Sequence, residues 1–241
     1  MISSDTLSQA ARRIQTTELN IAREYCQHLF LGAFYRESGS ERVMFKGGTA
    51  LRIVYGSPRF SEDLDFSAVR TSVREIEDCV ASAAGELERN AIPVSLSESK
   101  RTSGGYLAIL TTPVHDLPVR IQVEVSLRRR NDLKGQGVLV TPELLPAYTL
   151  TQLPERLLVQ EKLEALMTRR KPRDYFDLYF MLRKGLIPTG MKNHLRQAKD
   201  ALAGSRVNFG QDLGPFLPRS YASVVKDLRK TLLEELQRHG Y

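Results

Sequence analysis

The stretch Val43-Met44-Phe45-Lys46-Gly47-Gly48-Thr49, answered after a gap of thirteen residues by Asp63-Leu64-Asp65-Phe66, decides how this chain folds. The apolar run Val43 to Phe45 reads as a strand that stops at two glycines and a hydroxyl residue. Ala50 to Tyr55 is helix-compatible, and Ser57-Pro58 marks a turn. Gly47 and Gly48 let backbone N–H groups approach a phosphate, and Thr49 is placed to cap a helix whose positive N-terminus faces that anion. In a strand, Asp63 and Asp65 project to one side while Leu64 and Phe66 face the other. Neighbouring carboxylates repel, so a fold keeps them together chiefly to hold a divalent cation. A phosphate cradle joined to a carboxylate pair points to phosphoryl or nucleotidyl transfer. A plain strand–turn–helix with an acidic surface cluster accounts for the glycines but not for the pair.

Working outward, Thr6 to Arg36 is helical in pattern, with Leu19, Ala22, Cys26, Leu29, Phe30 and Ala33 at three- and four-residue intervals; Thr16 and Thr17 are caps if it is two helices. An amphipathic helix over about 71–90 carries Val73, Ile76, Val80 and Leu87. Strand-like runs follow at Val94–Ser97, Tyr106–Thr111 and Val119–Leu127, with Lys100 to Gly105 as a loop. From Thr151 helical periodicity takes over. Pro154 suits the first turn of a helix running to about Arg169, and a second helix from Arg173 ends at Lys184-Gly185. Further helices are expected over 191–203 and 219–238, with Gly204 to Pro218 as a loop. The fold class is α/β (α+β): a small mixed sheet flanked by helices, then a helical C-terminal region. The division falls at 1–150 and 151–241.

At 241 residues the chain buries a substantial core, as one large domain or two small ones. No apolar run approaches the roughly 20 residues of a membrane span, and the polar N-terminus lacks a signal-peptide core, so a cytoplasmic protein without a membrane partner is expected. Cys26 and Cys79 form no zinc or disulfide framework and read as buried thiols in a reducing compartment. Residues 1–149 hold 18 Lys/Arg against 18 Asp/Glu, and residues 150–241 hold 17 against 10, so the whole net charge of +7 lies in the C-terminal part. Beside a transfer site, that excess favours a polyanionic acceptor such as nucleic acid.

Two further residues stand out on pattern alone. In Val119–Ser126 the valines and isoleucine face one way, while Arg120, Gln122, Glu124 and Ser126 face the other. Glu124 on a strand beside Asp63 and Asp65 would complete a three-carboxylate site; the alternative is a solvated glutamate on a half-exposed strand, and Glu98, at a strand end, is the weaker candidate. Lys162 lies among Leu158, Val159, Ala165 and Leu166 on the apolar face of its helix. A lysine is rarely placed there without a partner, either a triphosphate or a carboxylate, although snorkelling from the helix edge is the alternative.

The Gly-Gly-Thr and Asp-x-Asp spacing resembles the active-site signature of the DNA polymerase β-like nucleotidyltransferase superfamily. Lys46-Gly47-Gly48-Thr49-Ala50-Leu51 with Arg59-Phe60-Ser61-Glu62-Asp63-Leu64-Asp65 resembles specifically the AbiEii/AbiGii toxin family. A second block, Glu161-Lys162-Leu163-Glu164-Ala165-Leu166 and Arg173-Asp174-Tyr175-Phe176-Asp177-Leu178, extends the likeness over roughly 40–185. The resemblance implies a nucleotidyltransferase that releases pyrophosphate from an NTP and arrests growth, restrained by a cognate antitoxin or antitoxin gene product. It implies catalytic roles for Asp63, Asp65, Lys162 and Asp177, and metal ligation by Asp63, Asp65 and a third carboxylate, for which Glu124 is the choice. Nucleotide contacts are expected from Gly47, Gly48, Thr49, Ser61, Lys162 and Asp174. Between the two aspartates of the second block, Asp177 is favoured to orient Lys162 or the nucleotide, because Asp174 in a first turn has a capping role open to it. The cofactor implied is Mg²⁺, as two ions, with Mn²⁺ as a substitute.

Members of the family attach nucleotides to the 3′ acceptor end of tRNA, so an RNA acceptor, tRNA in particular, is expected. Arg169-Arg170-Lys171 with Arg173, and Arg128-Arg129-Arg130, are basic clusters suited to a phosphate backbone or to plain solvation. A protein hydroxyl or a small molecule as acceptor, and a non-catalytic nucleotide-binding module, remain the other readings.

Overall fold

The structure, a computed structural model, describes residues 1–128, 132–188, 190–204 and 207–241. The chain folds as two compact units, Met1–Gly56 with Phe60–Pro154, and Ser57–Arg59 with Glu155–Tyr241.

The first unit opens with α1 (Ser4–Ile14) and α2 (Glu18–Phe34), separate helices because Gln15 turns left-handed and the Thr17 hydroxyl caps α2 at the Asn20 N–H. Then follow β1 (Val43–Lys46), α3 (Gly47–Ile53), β2 (Asp63–Ala68) and α4 (Val73–Arg89), the last opened by a Ser72/Glu75 capping box. Five strands complete the sheet: β3 (Ser95–Thr102), β4 (Gly105–Val114), β5 (Leu117–Leu127), β6 (Gln136–Val140) and β7 (Tyr148–Gln152). The order is β3-β4-β5-β2-β1-β7-β6, with β2–β5 and β1–β7 parallel and the other pairs antiparallel.

Alternation fixes which face is core. Leu64 and Phe66 on β2, Tyr106, Ala108 and Leu110 on β4, and Val119, Ile121, Val123 and Val125 on β5 are buried. Helices α2 and α4 pack on the sheet, and Phe34 stacks on Phe66 with ring centroids 5.3 Å apart.

The expected mixed sheet is present but larger. β6 and β7 add two strands, and β7 runs through the 150/151 division read from the sequence. The run Lys100–Thr102, read as loop, belongs to β3, because that edge strand is exposed along its length and so lacks an apolar pattern.

The second unit is helical: α5 (Glu155–Arg169), α6 (Pro172–Lys184), α7 (Lys192–Ala203), α8 (Phe209–Leu213), α9 (Ala222–Lys226) and α10 (Leu228–Arg238). Pro172 opens α6, and Gly185, with φ +70°, closes it. The single helix expected over 219–238 breaks at Asp227, and α8 lies inside the expected loop 204–218. Arg129 and Arg130 of the second basic cluster lie outside the described residues.

Candidate active site

The carboxylates are placed by strand register. Parallel pairing of β2 with β5 sets Asp63 opposite Gln122 and Asp65 opposite Glu124, and antiparallel pairing of β1 with β2 sets Lys46 opposite Asp65. Paired residues share a face, so Lys46, Asp65 and Glu124 form one row across three strands. That face is the polar one; the aliphatic residues between them point into the core.

Gly47 follows Lys46 with φ +84°, and an ideal Cβ built there would collide with Oδ2 of Asp65 and lie 2.8 Å from its Cγ. Glycine is thus required twice at this position, by conformation and by the closeness of the carboxylate. Among the described residues no three Asp, Glu, His or Cys side chains converge closely enough to hold a metal ion. Glu124 accepts a hydrogen bond from the Gln122 amide, which in turn accepts one from Arg120, so its carboxylate is engaged along its own strand. The donor set fits a hard divalent cation in type and in register, with Glu124 turned toward Gln122.

Thr49 differs from expectation. It is fully buried, and its hydroxyl donates to the backbone carbonyl of Asp63, pinning α3 to the start of β2; the residue at the N-cap of α3 is Lys46. Burial takes the hydroxyl away from capping. Ser61 is half-buried, and the Gln27 amide donates to its carbonyl at 2.9 Å and to that of Glu62 at 3.2 Å. Arg23, also on α2, pairs with Glu62 at 3.1 Å. Burial lowers the Arg23 pKa, while Glu62 and Asp63 oppose that fall. Gln27 and Arg23 therefore hold the segment that leads into the carboxylates. Two polar residues on the apolar face of a helix are the signal by which sequence reading would have found them.

The second unit holds a buried ionic trio. Arg59 makes a two-pronged pair with Asp177, Nε to Oδ1 at 2.9 Å and Nη2 to Oδ2 at 3.1 Å, and Lys162 Nζ meets Oδ2 at 2.7 Å. The side chains of Arg59, Asp177 and Lys162 are 5%, 1% and 11% exposed. Burial alone would raise the Asp177 carboxyl, but the Arg59 and Lys162 cations hold it below the ordinary carboxylate value. The partner of Lys162 is thus a carboxylate, that of Asp177. Arg59 received no role from the sequence, although it stands inside the motif, four residues ahead of Asp63.

Asp174, expected at the nucleotide, has one oxygen on Arg169 Nη2 at 2.7 Å and the other on the Lys171 N–H at 3.1 Å. With 2% of its surface exposed, it closes the N-terminus of α6 and is spent on that helix. Arg170 and Lys171 are exposed. No helix among the described residues is long and apolar enough to cross a membrane.

The family model for the nucleotidyl transferase AbiEii toxin, type IV toxin–antitoxin system, matches residues 29–238. Two solved structures resemble the chain along most of its length. MenT4, a nucleotidyltransferase toxin from Mycobacterium tuberculosis H37Rv, is 16% identical, with 98% of this chain and 90% of that one covered at a TM-score of 0.70. JHP933 from Helicobacter pylori is 19% identical, with 93% and 96% covered at a TM-score of 0.55. At such identities the likeness is one of fold. No curated protein matches the chain.

Proposed function

The chain belongs to the AbiEii family of nucleotidyltransferase toxins of type IV toxin–antitoxin systems, and from that membership we propose that it transfers NMP from an NTP to the 3′ hydroxyl of an RNA, the tRNA acceptor end in particular. In this reading Asp63, Asp65 and Glu124 hold Mg²⁺, two ions, with Mn²⁺ as a substitute. Bound there, such ions supply Lewis-acid stabilisation of the α-phosphate and of the departing pyrophosphate, and lower the pKa of the attacking hydroxyl. The hydroxyl loses its proton to solvent, its oxygen forms a bond to the α-phosphorus, and the bond from that phosphorus to the bridging oxygen breaks, releasing pyrophosphate.

The backbone at Gly47 and Gly48 is assigned to the triphosphate, as is the Ser61 segment that Gln27 fixes. Thr49 contributes by fixing α3. Lys162 is the cationic contact to phosphate, and Asp177 is the residue that orients it. The basic excess of residues 150–241 is assigned to the RNA backbone, in the cytoplasm where tRNA is found. An antitoxin belongs to the system through the family.

The observation that carries the reading is the register of Asp65 with Glu124, beside a position that only glycine can occupy. The test is Asp63→Ala and Asp65→Ala. Each is expected to abolish transfer while the melting temperature in EDTA holds or rises, because like-charge repulsion is relieved. Near wild-type transfer by Asp65→Ala contradicts the metal assignment.

A further inference from the structure

The row that begins at Lys46, Asp65 and Glu124 does not stop at β5. Antiparallel pairing sets Leu107 of β4 opposite Glu124, and Lys100 of β3 opposite Leu107. The next row runs Asp63, Gln122, Ile109, Glu98. Tyr106, Ala108 and Leu110 supply β4's buried face, so Leu107 and Ile109, both half-buried, are apolar on the polar face. An alternating strand has no need of apolar residues there, and a partly uncovered apolar pair beside carboxylates is informative.

By strand spacing Leu107 stands roughly 5 Å, and Lys100 roughly 10 Å, beyond the line of Glu124. Lys100 is 56% exposed and pairs with Glu98, itself 31% exposed. Arg120, exposed on β5 opposite Thr111, supplies a second cation on this face. Direction follows from the chemistry. The glycine cradle lies on the β1 side of the carboxylates, so in-line displacement drives pyrophosphate toward β1 and brings the nucleophile from the β5–β4–β3 side.

We propose that Leu107, Ile109 and Lys100 form the acceptor subsite, Leu107 and Ile109 receiving the terminal nucleobase and Lys100 the phosphate preceding it, so that the acceptor is the free 3′ end of a single-stranded polynucleotide. The subsite rests on the transferase reading above and names where its acceptor lies. An aliphatic platform accepts any base through its flat face, and a single lysine meets phosphate in any sequence, so the subsite selects for an unpaired end and not for base identity. Glu98 bounds it: a phosphate engaging Lys100 takes that ammonium from the carboxylate.

The experiment measures binding of a 5′-fluorescent single-stranded RNA oligonucleotide and, separately, of NTP, by full-length wild type, Leu107→Ser/Ile109→Ser and Lys100→Gln. The expected result is a loss of oligonucleotide affinity of about tenfold in the double variant, with NTP affinity unchanged. In Lys100→Gln the slope of log K against log salt should shrink by about 0.7, one phosphate contact fewer. Lys100→Gln changes an exposed side chain and decides the matter alone if the double variant does not fold. Wild-type oligonucleotide binding retained in both Lys100→Gln and a folded double variant overturns the subsite while leaving the transferase reading standing. A wild-type protein that binds NTP but no RNA overturns both.

Discussion

Gly47 and Asp65 occupy one space: the glycine's missing side chain is where the carboxylate sits, so that an ideal Cβ would overlap Oδ2. Gly47→Ala should therefore behave like a carboxylate variant although alanine carries no chemistry. A left-handed alanine costs about 1–2 kcal/mol, and displacing Asp65 should remove most transfer. Thermal melts and a transfer assay check both effects. Transfer at the wild-type rate in Gly47→Ala would show that Asp65 does not need this position.

The Arg59–Asp177–Lys162 trio predicts an order of stability. Asp177→Ala strands two buried cations and should destabilise by about 3–5 kcal/mol. Lys162→Met leaves the Arg59–Asp177 pair intact, and so should cost less; Lys162→Glu, a carboxylate against a carboxylate, should cost more than Lys162→Met. Denaturant unfolding gives the order. Binding assays separate the phosphate role, since Lys162→Ala should weaken NTP far more than nucleoside. Unchanged NTP affinity would make the lysine structural.

His28 makes stability depend on pH. Its Nδ1 lies 2.8 Å from the Tyr148 hydroxyl, and burial lowers its pKa to about 4, the Glu24 carboxylate opposing that fall and the Arg52 cation adding to it. Between its ordinary value of about 6.5 and that lowered value, the unfolded chain binds a proton that the folded chain refuses. Stability should thus fall as pH falls through this window, by up to about 3 kcal/mol, and His28 should add no further loss below it. Asp177 acts lower: its depressed carboxyl stabilises above the ordinary carboxylate value and loses that contribution as pH drops below it. Melts of His28→Gln between pH 7 and pH 4.5 check the first window, where a shallower slope is expected. A slope equal to wild type removes His28 from the account.

What the sequence could show depended on whether a residue's role is local. The glycine break, the i, i+2 carboxylates and the alternation of β5 are local patterns, and they were legible, as was Lys162 on an apolar helix face. Asp177 beside Lys162 was expected from the family resemblance, and the two meet at 2.7 Å. Arg59 as the third member was not legible, because it lies 118 residues from Asp177 in the chain and meets it only when folded. Thr49 looked like a cap because hydroxyl residues after glycines often are; its burial beneath the Asp63 carbonyl is a tertiary fact. β6 and β7 escaped notice because an exposed edge strand and a five-residue strand carry little periodicity.

The exposed Arg170 and Lys171 are the cleaner probe of RNA docking, since Arg169 is tied to Asp174. Reversing Arg170 and Lys171 to glutamate should lower RNA affinity and reduce its salt slope, with NTP affinity unchanged. A salt slope that stays at the wild-type value would place the RNA elsewhere.

The most direct test is to incubate wild type and Asp65→Ala with each of the four NTPs, α-labelled, together with total RNA, with Mg²⁺ or with EDTA, and to locate the label. The account predicts label at RNA 3′ ends, released pyrophosphate, and loss of both in EDTA and in Asp65→Ala. Label on the protein with RNA absent, or RNA labelling that survives Asp65→Ala, would contradict it.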